Sequence, residues 1–228
     1  MWRRLLLMLV LMAGCGSASA EPSPAKLAHD SPDPLKCKIC SKALASAYGF
    51  LEKQSKDVDP RSEFFLGFLY LVDGKHPSEL KSLVESMSAS TYKGNPHITG
   101  NRNWHLCMNA LFLAECYRRN PSEALTQRLS EILKLAEARV EETGGWGHDI
   151  GFSQKTGYSG VDLGILTAMM FSAMLEMQSV GIPVPPKMLD AARKNLEANS
   201  DGLGVFYGTG NKHPDVSMAR GAFAWLGL

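Results

Sequence analysis

Apolar positions recur with a helical period along most of the chain, and strand-like alternation is scarce. From Ser122 to Glu142 they fall at Leu125, Leu129, Ile132, Leu133, Ala136 and Val140, with Arg128, Glu131, Lys134, Glu137 and Arg139 between them. This spacing predicts a helix with one apolar stripe and a solvated opposite face. Residues 186–199 repeat the type, with Met188, Leu189, Ala192 and Leu196 facing inward. Pro186 falls in the first turn there, where its missing N–H is no loss. Residues 78–87 are a shorter version built on Leu80, Leu83, Val84 and Met87.

A second kind of helix alternates with these. Residues 104–117 (WHLCMNALFLAECY), 161–180 and 64–72 (FFLGFLYLV) are apolar on almost every side. A helix of that kind must be surrounded by protein. The alternation predicts an all-α fold in two layers, an inner ring of apolar helices inside an outer ring of amphipathic ones. The inner helices start near Trp104, Asp162 and Ser217, in steps of 58 (162 − 104) and 55 (217 − 162) residues. Each follows a glycine-rich break: GNPHITGN, GGWGHDIG and GLGVFYGTG. Such a period, with one helix pair per unit, marks a repeat architecture.

Within this frame the quoted segments "FLEKQ" (50–54), "NWHLCMNALFLAECYRR" (103–119), "GGWG" (144–147), "DLGILTAMM" (162–170) and "DGLGVFYG" (201–208) carry a resemblance. The chain resembles the α/α toroid of terpenoid cyclases and protein prenyltransferases, in particular bacterial proteins with prenyltransferase/squalene-oxidase-type repeats, over residues 36–228. The resemblance implies that each outer helix ends in a glycine-aromatic turn packed on the next repeat, a pattern that Gly144, Gly145, Trp146 and Gly147 match. The glutamine usual before that turn is missing, Val140 and Glu141 standing there, and Leu203 replaces a glycine in the next repeat. Gly144 and Gly145 are expected to supply positive-φ positions that stop the outer helix. Trp146 is expected to be a wedge between repeats.

In this topology every outer-to-inner connection emerges at one end of the ring, beside the inner-helix N-termini. That rim would gather Trp104, His105, His148, Asp149, Tyr158, Asp162, Tyr207, His213 and Arg220, beside unpaired backbone N–H groups that favour anionic ligands. Asp162, His105 and His148 are the candidates for chemistry. Asp162 is better explained as a helix cap and His105 as a hydrogen-bonded core histidine, and His148 can be read as an exposed loop residue. Of the resembled family's chemistries, none is complete. A prenyltransferase zinc site needs a thiolate two residues after Asp162, where Gly164 stands, and Asp215-Val216-Ser217 offers no histidine. A thiolate supplies much of such a site's zinc affinity. The D-x-D-D acid of cyclases, the D-D-x-x-D that holds magnesium-diphosphate and the Cys-Gly-Glu-Gln of thioester proteins are all missing. No cofactor is therefore expected; zinc would need His105, His148, Asp162 and His213 to converge from separate repeats.

The ends and the charge complete the picture. Arg3 and Arg4 precede a short apolar run, Leu5 to Met12, so residues 1–20 read as an export signal. It ends either in a lipobox, leaving Cys15 lipidated, or in an A-x-A site at Ala20. Residues 21–34 read as a flexible tether, and 35–228 as the repeat domain. Removing the leader's two arginines leaves 22 basic (24 − 2) against 23 acidic residues, no electrostatic footprint for nucleic acid or an anionic membrane. The membrane is expected only through a lipid anchor. Cys37-Lys38-Ile39-Cys40 lacks the histidine of a haem attachment site and the βαβ surroundings usual for a redox motif. Cys107 and Cys116 lie on opposite sides of one helix. The last apolar helix, from Val216, has no outer partner, which predicts an incomplete arc closed by more chain, a second domain or another copy. The expected function is an exported toroid, lipid-anchored or free in the periplasm or medium, whose rim binds a ligand or protein partner. The alternative is a cyclase- or prenyltransferase-like transferase, or a polysaccharide-active enzyme.

Overall fold

The computed structural model describes residues 36–56, 60–89, 102–148 and 162–200. Seven helices and no strand occur among them: α1 (Lys38–Lys56), α2 (Pro60–Asp73), α3 (Pro77–Ser88), α4 (Arg102–Arg119), α5 (Glu123–Glu137), α6 (Gly164–Ser179) and α7 (Pro186–Ala198). None of these helices is long and apolar enough to cross a membrane. The expected leader, with Cys15, and the tether lie outside the described residues. The chain divides into two compact units, Met1–Pro77 and Ser78–Leu228.

In the first unit α1 and α2 pack together as a helical hairpin. Phe64, Leu66, Phe68, Leu69, Tyr70 and Leu71 of α2 are buried, with Phe64 and Phe68 edge to face at 4.9 Å. The Tyr48 hydroxyl on α1 donates to the Leu69 carbonyl at 2.7 Å. Burial and a hydrogen bond to Asp73 hold that phenol well above its usual range. Gly74, at φ 66°, lets the chain leave α2 in the left-handed region that disfavours other residues.

In the second unit, α4 and α6 are the apolar helices and α5 and α7 the amphipathic ones. α4 packs on both α5 and α6, and α6 on α7. α4 is buried from His105 to Cys116 with no exposed face. The two apolar helices lie parallel: the Cys107 thiol meets the Leu166 carbonyl at 3.6 Å, and Arg118 pairs with Glu176 two to three turns further on. α5 begins at Ser122, whose Oγ accepts the Leu125 N–H at 3.3 Å. That is N-capping by a preferred residue.

The stripe of α5 is Leu125, Leu129, Ile132, Leu133 and Ala136, as its period predicts, but two expectations fail. The helix stops at Glu137 instead of reaching Glu142, so Val140 lies beyond it and is only half-buried. Arg128 and Arg139, expected on the solvated face, are 5% and 6% exposed. A charge pattern does not reveal this, because the burial reaches the guanidinium groups: Arg128 Nε and Nη2 and Arg139 Nη1 are all buried. In α3, Met87 is buried, whereas Leu80, Leu83 and Val84 are half-buried.

Candidate functional site

The turn after α5 is built on its glycines, each for its own reason. Gly144 has the expected positive φ, 85°, and its N–H returns to the Glu141 carbonyl at 2.9 Å, but α5 already ends at Glu137, so Gly144 shapes the turn and does not stop the helix. Gly145 does not have a positive φ, and the sequence-based expectation is corrected there. What it needs is space. A Cβ on Gly145 would overlap Asp162 Oδ2 and stand 2.7 Å from both Asp162 Cβ and Thr167 Oγ1. The absent side chain lets the turn lie directly on the residues that lead into α6.

Trp146 follows, wholly buried, with its indole N–H donating to the Ala136 carbonyl at 2.9 Å. That carbonyl, at the end of α5, also accepts the Arg139 N–H at 3.1 Å, so the indole adds a second donor to it. Its backbone N–H donates to Thr167 Oγ1 at 3.2 Å, and its carbonyl accepts the Leu163 N–H at 2.9 Å. The Gly147 carbonyl accepts from Asn103 Nδ2 at 2.9 Å. One turn thus ties the end of α5 to the starts of α4 and α6 and sets both apolar-helix N-termini on the same side.

Asp162 is fully buried beside this turn. The N-cap of α6 is Leu163, so Asp162 stands one residue outside the helix and is not its cap residue. Its Oδ2 accepts from Asn195 Nδ2 on α7, and the same Nδ2 also donates to the Thr143 carbonyl at 3.0 Å. Asn199 Nδ2 in turn bonds the Asn195 carbonyl at 2.9 Å. The carboxylate therefore works as a strut between the turn and α7. Glu141, on the same turn, is held above the usual carboxyl range by burial first and by the charge of Asp162 second.

On the α4 side, Trp104 Nε1–H donates to His148 Nδ1 at 3.0 Å. His148 is half-buried and engaged, where an exposed loop residue was one expectation. The bond requires a neutral ring with its proton on Nε2. Burial lowers the His148 pKa in the same sense. His105 is 6% exposed within α4. Asn103, at the second position of α4, is fully buried; its Nδ2 is spent on Gly147 and its Oδ1 has no hydrogen-bond partner among the described residues.

Of the expected rim, Trp104, His148, Asp162 and the Gly144–Gly147 turn are brought to this end of the unit. Asp149, Tyr158, Tyr207, His213 and Arg220 lie outside the described residues. The donor set at the start of α6 does not fit the zinc site of the resembled family. Asp162 is committed to Asn195, and the position two residues on is the buried Gly164. Among the described residues no three His, Cys, Asp or Glu side chains form a metal-holding group.

Asn103, Asn195, Asn199 and Thr167 were missed from the sequence. The signal was present for Asn195 and Asn199, which continue the Met188–Ala192 stripe of α7 at helical spacing. A polar residue in a core register announces a buried partner.

No family model matches the chain, and searches of curated proteins and of solved structures find no significant match.

Proposed function

We propose that the chain is an exported helical-repeat protein of the α/α-toroid kind that binds a ligand or protein partner on the rim formed by its apolar-helix N-termini. Asn103 carries this reading. Its Nδ2 is fixed on the Gly147 carbonyl, which leaves Oδ1 as a buried acceptor with no donor to it among the described residues. An unpaired buried polar group costs about 1–3 kcal/mol. An O–H or N–H donor on a bound molecule would recover that cost. Trp104 adds a half-buried aromatic ring next to it, oriented by its bond to His148. The reading is binding and not turnover, because each recognised catalytic constellation of the resembled family lacks an essential group.

Native mass spectrometry of the chain purified gently from its own cells tests this. A bound component should accompany the wild type and be lost from Asn103→Leu, which keeps the size and removes the acceptor. The variant is first shown to retain its helical circular dichroism. A wild type that carries nothing, or a component held equally by the folded variant, refutes the reading.

A further inference from the structure

The buried stripe of α5 carries one charge. Leu125, Leu129, Ile132, Leu133 and Ala136 lie on it, and Arg128 is buried in the same register at 5% exposure. Arg128 stands one turn after Leu125 and one turn before Ile132, so the helix offers it apolar neighbours on both sides. Arginine keeps its charge in folded proteins. A guanidinium taken out of water therefore needs partners for its N–H groups, or its burial is strongly unfavourable. The helix supplies one: Arg128 Nη1 donates to Glu131 Oε2 at 3.2 Å. Nε and Nη2 are buried and have no hydrogen-bond partner among the described residues. Bulk water does not reach them in its place. The positions of the unanswered donors are specific. In a planar guanidinium the Nε–H and one Nη2–H run side by side along one edge, at the spacing of two oxygens of a carboxylate or phosphate group. What is left over is a complete fork.

We propose that this fork is a binding site for a small oxyanion, a carboxylate or a phosphate group, held in bidentate fashion by Nε and Nη2 of Arg128. The oxyanion accepts both N–H bonds and brings the negative charge that the apolar stripe lacks. Glu131 keeps Nη1 and so fixes the plane in which the fork presents itself. Its side chain is 47% exposed and is the neighbour that can swing outward to admit the anion. Chloride, a single centre, cannot span the fork. The site is separate from the glycine turn and from Asn103, since it lies in the body of α5, before the helix reaches that turn.

Urea unfolding of the full chain, followed by tryptophan fluorescence, tests this with potassium phosphate and sodium acetate as probes. Each is raised in steps against sodium chloride at constant ionic strength. A ligand that binds only the folded state raises the midpoint in a saturable way. The wild type should show that rise with phosphate, with acetate or with both, and the probe with the lower half-saturating concentration identifies the oxyanion class. Phosphate also stabilises proteins generally, by exclusion from their surface, and that part is not saturable and is shared by variants. Arg128→Met, which keeps the length of the side chain and removes the charge, should lose the saturable part. In chloride alone it should unfold no earlier than the wild type, because it removes an uncompensated buried charge. Arg128→Lys, a cation without the fork, should need about tenfold more probe or worse. No saturable rise in the wild type, or a rise that both variants share, overturns the proposal. So does an Arg128→Met chain that fails to fold or unfolds earlier in chloride, since the guanidinium would then already be answered within the chain.

Discussion

Replacing Gly145 with alanine isolates the effect of space from that of backbone conformation. Gly145 has an ordinary φ, so alanine brings no conformational strain of its own. The added methyl would meet Asp162 Oδ2, and Asp162 Cβ and Thr167 Oγ1 at 2.7 Å, all well inside contact distance. Overpacking of this kind costs typically about 1–3 kcal/mol. Relief by movement would pull Asp162 from Asn195 or Thr167 from the Trp146 N–H, each about 1–3 kcal/mol when a buried group is left unpaired. The expected loss is about 2–5 kcal/mol. Gly181 is the control: its φ is 85°, but a Cβ there would find nothing within 4 Å. Gly181→Ala should cost only the left-handed penalty, about 1–2 kcal/mol. Urea unfolding followed by tryptophan fluorescence reads both, as midpoint shifts at constant slope. Trp104 and Trp146 both lie in the second unit, close to the turn. A Gly145→Ala loss no larger than that of Gly181→Ala would refute the claim that the turn is held by close approach to Asp162 and Thr167.

Two further outcomes follow from buried polar groups. Asn195→Ala removes the donor that holds both Asp162 and the Thr143 carbonyl, and should destabilise by about 3 kcal/mol in the same urea assay. Combined with Asp162→Ala it should cost clearly less than the sum of the two single changes, and additivity would show that the bond does not matter. The third concerns Glu115, which is 3% exposed and whose carboxyl is raised by burial, against the opposing pull of Arg119 and Arg118. The folded state thus holds this proton more tightly than the unfolded chain. Its contribution to stability is full below the ordinary glutamate value of about 4.3, and falls as pH rises through the raised value. Glu115→Gln should therefore gain stability relative to wild type as pH is raised across that window, and a difference that stays flat or drifts the other way would contradict the assignment.

Most of the fold was legible because it rests on periodicity. The stripe of α5 and that of α7 could be read from residues three and four apart, and the unbroken apolarity of α4 and α6 announced helices with no exposed face. The site was legible only where a residue type has one common use. The positive φ of Gly144 could be read because a glycine in a tight turn is often left-handed, although the helix it was expected to stop ends seven residues earlier (144 − 137), at Glu137. Gly145 could not, because its role depends on Asp162 and Thr167, which lie 17 (162 − 145) and 22 (167 − 145) positions away and approach only after α6 has docked. Asp162 looked like a cap because it precedes a helix, and only the placement of Asn195 on the neighbouring helix gives the carboxylate its actual partner. Arg128 and Arg139 looked solvated because their charge was taken to face water, whereas the fold buries guanidinium nitrogens of both.

The register of α4 against α6 links the repeat pattern to the proposed rim. The predicted step between apolar helices is 58 residues, and the cross-helix pairs Cys107–Leu166 and Arg118–Glu176 are separated by 59 (166 − 107) and 58 (176 − 118). Positions 58 and 59 residues apart thus lie side by side on α4 and α6. The C-terminal ends are clasped by charge: Arg118 bridges Glu115 and Glu176, Arg119 holds Glu115 at 3.0 Å, and Ser179 stands 3.5 Å from Arg118. Buried carboxylates without such partners would be expelled or neutralised. The N-terminal ends are held level by a different device, the glycine turn, which is neutral and built of backbone bonds. The two ends consequently differ in what they leave over. At the clasp each buried carboxylate has a guanidinium, whereas at the turn Asn103 Oδ1 has no donor among the described residues. A fold that needed only to fix its register could have ended both sides in paired charge or in apolar contact. The buried acceptor of Asn103, at the N-terminal end of α4, is why the proposed rim and not the clasp is the end to search for a bound molecule.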